Sequence, residues 1–130
     1  MKNILKIAAT LSLLSGAAIA DPVFGIWKTK PNDNGDFGHV KIAACDDTIC
    51  GTLVKSFDAS GSSVESENLG KLIVWEMTNK GKGKYGGGKI WDPAKDKVYK
   101  SKMALNSDNE LDVSGCILVI CRASSWTRVE

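Results

Sequence analysis

Beyond residue 20, apolar and polar positions alternate with a spacing of two. Val40, Ile42 and Ala44 interleave with His39, Lys41 and Ala43, and Ile49, Gly51 and Leu53 with Thr52 and Val54. Ile73, Trp75 and Met77 fall on one face, opposite Leu72 and Val74. Tyr99, Ser101, Met103 and Leu105 alternate with Val98, Lys100 and Lys102. Near the end, Trp126 and Arg128 share one face and Thr127 and Val129 the other. Such alternation marks half-buried strands, because successive side chains of a strand point to opposite faces. Turn chemistry separates the segments, at residues 31–35, 46–47, 58–61, 79–83, 92–93 and 106–109, where Asn, Asp, Pro and Gly gather. One short helical turn is expected at residues 63–69, stopped by Gly70. The prediction is an all-β chain of seven or eight strands with short connections. It forms an antiparallel up-and-down barrel, because closure leaves no unpaired edge.

The first twenty residues read differently. Lys2 and Lys6 precede an apolar run, and Ala18-Ile19-Ala20 ends it with an A-x-A pattern before Asp21. This is the pattern of a secretory signal peptide over residues 1–20, with an apolar part too short for a membrane span. One domain over residues 21–130 is expected to follow, in the periplasm or outside the cell, with no membrane span. Export changes the charge balance. The chain carries 17 Lys and Arg against 15 Asp and Glu, and the leader removes two lysines and no acid, leaving 15 against 15. A neutral chain lacks the basic excess that nucleic-acid binding needs. The lysines at 80, 82 and 84 read as a solvated turn.

Four cysteines fall as Cys45-x4-Cys50 and Cys116-x4-Cys121. The spacing lacks the tight knuckle of zinc ribbons, and an exported chain meets an oxidising space, so disulfides are expected. Asp46, Asp47 and Thr48 form a turn that favours pairing Cys45 with Cys50. Between Cys116 and Cys121 the run Ile117-Leu118-Val119-Ile120 has no turn residue, so cross-linking between the two cysteine pairs stays open beside local pairing.

GKYGGGKI, from Gly83 to Ile90, resembles a phosphate loop up to its lysine, then places Ile90 where Ser or Thr would hold magnesium. Strand-like Ile90-Trp91 follows instead of a helix, so the backbone donors of a helix N-terminus are missing. Gly86-Gly87-Gly88 is therefore read as a bend or bulge in a barrel strand.

Gly25-Ile26-Trp27-Lys28-Thr29, C-x4-C-G at Cys45 to Gly51, GGKIWDPAKDKVYK at residues 87–100, G-C-x4-C-R and the closing S-W-T-R-V occur together. In these motifs the chain resembles the bacterial family "domain of unknown function 2147", small exported proteins similar to lipocalin-like, or calycin, barrels. The resemblance spans about residues 23–129 and departs from the expected pattern at Ile117-Leu118, where a glycine would stand. It implies that Trp27, behind Gly25, plugs one barrel end, with an arginine of the last strand packed over it. Arg128 matches that role best, Arg122 second.

Catalytic chemistry is sparse. His39 is the sole histidine and stands in an alternating strand without a partner in sequence. The run Asn32-Asp33-Asn34-Gly35-Asp36 has the density of a calcium loop, but Phe37 occupies the glycine position and no Glu follows at ligand spacing. No enzyme, cofactor or metal is indicated. Two functions remain. In the first, the barrel binds a small apolar or aromatic molecule, with Trp75, Trp91 and Tyr99 as candidate lining. In the second, its outer surface binds an envelope protein, such as a wall-degrading enzyme to be inhibited, through an exposed Tyr85, Trp91 and the glycine-lysine loop. The sequence leaves the oligomeric state undetermined.

Overall fold

The computed structural model describes residues 20–130, so the leader read over residues 1–20 lies, Ala20 apart, outside the described residues. Nine strands follow in order. They are β1 (Gly25–Lys28), β2 (Phe37–Cys45), β3 (Thr48–Phe57), β4 (Ser63–Val64), β5 (Leu72–Gly81), β6 (Lys84–Asp92), β7 (Lys97–Ser107), β8 (Glu110–Ile117) and β9 (Ile120–Arg128). Each strand pairs antiparallel with its sequence neighbour, except that β4 hangs on the edge of β3 and β5 pairs with β3 directly. β1 pairs with both β2 and β9, which closes eight strands into a barrel. The expected up-and-down barrel is the observed fold. Residues 63–69 differ from the helical turn expected there. Ser63 and Val64 pair with Phe57 and Ser56, and the turn begins only after them, with Leu69 N–H donating to Ser66 C=O at 3.3 Å.

The register defines two ends. The tight turns β2–β3, β5–β6 and β7–β8 lie with the start of β1 at one end. The longer connections at residues 29–36 and 58–71 lie at the other, with the β6–β7 turn and the β8–β9 hairpin. Buried Val23, Trp27, Ile42, Ile49, Met77, Tyr85, Met103 and Leu111 fill the first end. This end is solid.

Trp27 is fully buried, and its Nε1–H donates to Val23 C=O at 2.9 Å. The Arg128 guanidinium lies over its ring, 4.4 Å from the centroid. Arg128 also donates to three carbonyls, those of Phe24 (2.9 Å), Pro22 (2.6 Å) and Asp108. A planar fork with several donors can satisfy these acceptors while stacking on an indole, which a lysine cannot do. Gly25 makes the approach possible. It sits at φ 144, and a Cβ there would collide with Arg128 Nη1 and the Glu130 carbonyl.

The three glycines of β6 form the expected bulge. Tyr85 pairs with Met103 and Gly88 with Ser101, so β6 spends one residue more than β7 over the same stretch. Gly87 takes φ 74, which glycine reaches without steric cost.

Candidate functional site: the open half of the barrel

Above Val40, Leu53, Ile73 and Trp126 the barrel is hollow, with a cavity of about 1190 Å³ that opens between the long connections. Pockets holding a drug-sized molecule run from roughly 300 to 1,000 Å³, so the space suits a bulky or elongated guest. The inner face of β9 descends through Ile120, Arg122, Ser124 and Trp126, all four lining the cavity. Tyr99 and Ile90 line the neighbouring wall, and Phe37 and Phe57 stand at the rim.

The aromatics expected to bind ligand separate. Tyr99 and Trp91 line the cavity, and the Trp91 Nε1–H is held by Asp96 Oδ1 at 2.9 Å. Trp75 does not join them. It lines a separate shallow depression with Lys71, Leu72 and Trp91. The reason is a break in the period of β5. Ile49 pairs with Met77 and Gly51 with Val74, so β5 spends one residue more than β3 there, and Glu76 sits at φ 57. Val74 and Met77 are thereby both buried in the core, and Trp75 falls on the other face from Met77. Strict alternation, which placed Trp75 with Ile73 and Met77, does not survive a bulge. Trp126, absent from the candidate lining read from the sequence, is buried and also part of the cavity wall. Its position two residues from Ser124 on one strand face was the available signal.

Both cysteine pairs are local: Cys45–Cys50 and Cys116–Cys121 are disulfides, and no described cysteine is free. The first lies at the solid end. The second clips the β8–β9 hairpin at the mouth, whose tip is apolar and largely exposed, Leu118 at 90% and Val119 at 92%. Leu118 turns the chain at φ 56, the left-handed conformation that glycine adopts more cheaply. This is the stretch where a glycine was expected.

Other candidates resolve into structure. Tyr85, expected on an exposed face, is buried, and its hydroxyl donates to Asp21 Oδ1 at 2.6 Å. Asn32 Oδ1 accepts from the N–H groups of Asn34 and Asp36, both at 2.9 Å, so the acidic run is a turn. The His39 ring lies 4.5 Å from that of Phe57 on the outside of β2, near Lys28 and Lys55. Among the described residues no group of three or more His, Cys, Asp and Glu is placed to hold a metal. No described helix is long and apolar enough to cross a membrane.

A closed eight-stranded meander, plugged by a tryptophan-arginine pair at one end and hollow at the other, is a lipocalin-like barrel. Its backbone is similar to that of protein HP1028 from Helicobacter pylori, described as belonging to the lipocalin family. The TM-score is 0.68 at 16% identity, over 86% of this chain and 85% of that one. The chain belongs to the family described as "Uncharacterized protein conserved in bacteria (DUF2147)", whose pattern it matches over residues 25–128. No curated protein matches it in sequence.

Proposed function

We propose that this is an exported, non-catalytic binding module that takes one small apolar or aromatic molecule into the open half of its barrel. The observation that carries the reading is the cavity of about 1190 Å³, walled by Trp91, Tyr99, Trp126, Leu53 and Ile90 above a solid floor. Apolar walls favour an apolar guest because its burial removes water-exposed surface on both sides. Two formed disulfides support an oxidising, extracytoplasmic setting. The test is a titration with N-phenyl-1-naphthylamine, a neutral apolar dye, followed by its emission and by energy transfer from tryptophan. The expected result is saturable one-to-one binding that Ser124→Phe, which fills the cavity from β9, abolishes. Absence of saturable binding to the unaltered protein overturns the reading.

The exposed tip of Ile117, Leu118, Val119 and Ile120 favours a second reading, in which an envelope protein docks at the mouth. Native mass spectrometry of protein taken from its own envelope separates the two, since the first yields a small-molecule adduct and the second a protein complex.

A further inference from the structure

Arg122 is the one charged side chain that the interior of a described strand contributes to the cavity wall. The other charges there come from connections or from a strand end. Asp58 is bonded to Ser60 and Ser62, and Asp92, the last residue of β6, accepts from Ala94 N–H. Asp36 and Glu65 sit on the long connections at the rim, with Lys30 and Lys95 also at the mouth. Arg122 is exposed on the upper part of β9, two residues below Ile120, on the face that continues inward through half-buried Ser124 to buried Trp126. Its partner across the β8–β9 ladder is Gly115, so β8 presents no side chain beside it. A Cβ at Gly115 would meet Ile90 Cγ2 at 3.4 Å and Tyr99 Cβ at 3.7 Å, which places this bare patch between Arg122 and the apolar wall.

The two arginines of β9 differ in what they touch. Arg128 is committed to Trp27 and three carbonyls. Arg122 has no hydrogen-bond or ion-pair partner among the described residues, where the salt bridge is Lys89–Glu76. A guanidinium carries five donors in a fork that matches a carboxylate. From this geometry we infer that the guest is an amphipathic anion, a carboxylate whose apolar body lies against Trp126, Tyr99 and Ile90 while its head pairs with Arg122. The inference rests on the cavity being the binding site and specifies which chemical class occupies it.

The test is displacement of N-phenyl-1-naphthylamine by dodecanoate, dodecanol and dodecylamine, which share a chain and differ in the head group. Dodecanoate is expected to bind about tenfold more tightly than dodecanol, the scale of one charge-assisted pair. Arg122→Gln is expected to remove that difference while leaving dodecanol unchanged, and Arg122→Lys to keep part of it. Equal binding of acid and alcohol, tightest binding of the amine, or an equal loss for acid and alcohol in Arg122→Gln each overturn the proposal. If the dye itself finds no site, the pocket reading fails first and takes this one with it.

Discussion

The Arg128 guanidinium carbon stands 4.4 Å from the centroid of the Trp27 ring, joining the first strand of the barrel to the last. The two residues also face each other in the β1–β9 ladder. Trp27→Ala is expected to cost roughly 3–5 kcal/mol, the range for deleting a buried aromatic. Arg128→Lys is expected to cost about 2 kcal/mol, because an ammonium loses the stacking and cannot serve three carbonyls at once. Urea unfolding midpoints at constant slope report both values, and a Trp27→Ala loss below about 1 kcal/mol would mean that the indole is not the plug.

The disulfides are expected to be equal in stability and unequal in function. Each closes a loop with a sequence separation of 5, so each contributes about 2 kcal/mol by chain entropy. Cys45→Ser/Cys50→Ser and Cys116→Ser/Cys121→Ser should lower the unfolding midpoint alike. Only the second pair flanks the cavity, so only its removal should weaken dye binding. The native oxidised protein should show no reaction with a thiol reagent, and a free thiol in it contradicts the bonding described here.

Asp21 and Tyr85 couple stability to pH in opposite directions. Burial works against ionising Asp21, but hydrogen bonds from Tyr85, Val23 N–H and Asn79 outweigh it and hold the carboxyl below its ordinary value of 3.8. That contribution is complete above pH 3.8 and is lost as pH falls through the lower folded value. Burial first, then the bond to Asp21 and its charge, push the Tyr85 phenol above 10.0, so its contribution is complete below that pH and fades above it. Tyr85→Phe should flatten both limbs of a stability curve measured by urea unfolding across pH. An unchanged alkaline limb would contradict the coupling.

His39 should titrate low. Burial beside Phe57, then the charges of Lys55 and Lys28, move it below 6.5, against a smaller pull from Glu130. The neutral ring is the favoured form, so stability is complete above pH 6.5 and falls as pH drops through the folded value. The chain has one histidine, so a single imidazole resonance followed by NMR gives the midpoint directly. A midpoint at or above 6.5 refutes the packing argument.

Adjacent glycines of β6 should respond unequally to alanine. A Cβ at Gly88 would stand 2.6 Å from Met77 Sδ and 2.8 Å from the Trp75 carbonyl, and the backbone atom cannot yield. Gly88→Ala is expected to cost roughly 2–3 kcal/mol, as overpacking does. Gly87 faces open space at φ 74, so Gly87→Ala carries only the conformational cost of about 1 kcal/mol. Thermal unfolding of the two variants should rank them in that order.

Much of this was legible because it depends on local chemistry. The alternation at Val40–Ile42 and Tyr99–Ser101–Met103 marks strands without reference to partners, and the turns between them are built from Asn, Asp and Gly. The bulge at Gly86 to Gly88 was readable because three glycines have no better use inside a strand. Trp75 was misplaced because the bulge that turns it out at Glu76 has no glycine to announce it. Tyr85 looked like a surface residue within a polar glycine-lysine stretch, and only its meeting with Asp21, distant in the chain, accounts for its burial.

What the amino-acid order determined alone was the strand pattern and the turns, since these follow from periodicity and backbone preference. What only the folded chain decided was where the interior is filled and where it is hollow. That depends on the β5 and β6 bulges, on Gly115 lying opposite Arg122, and on which of two arginines spends its donors at the solid end. These are relations between strands, and a register is a property of pairs.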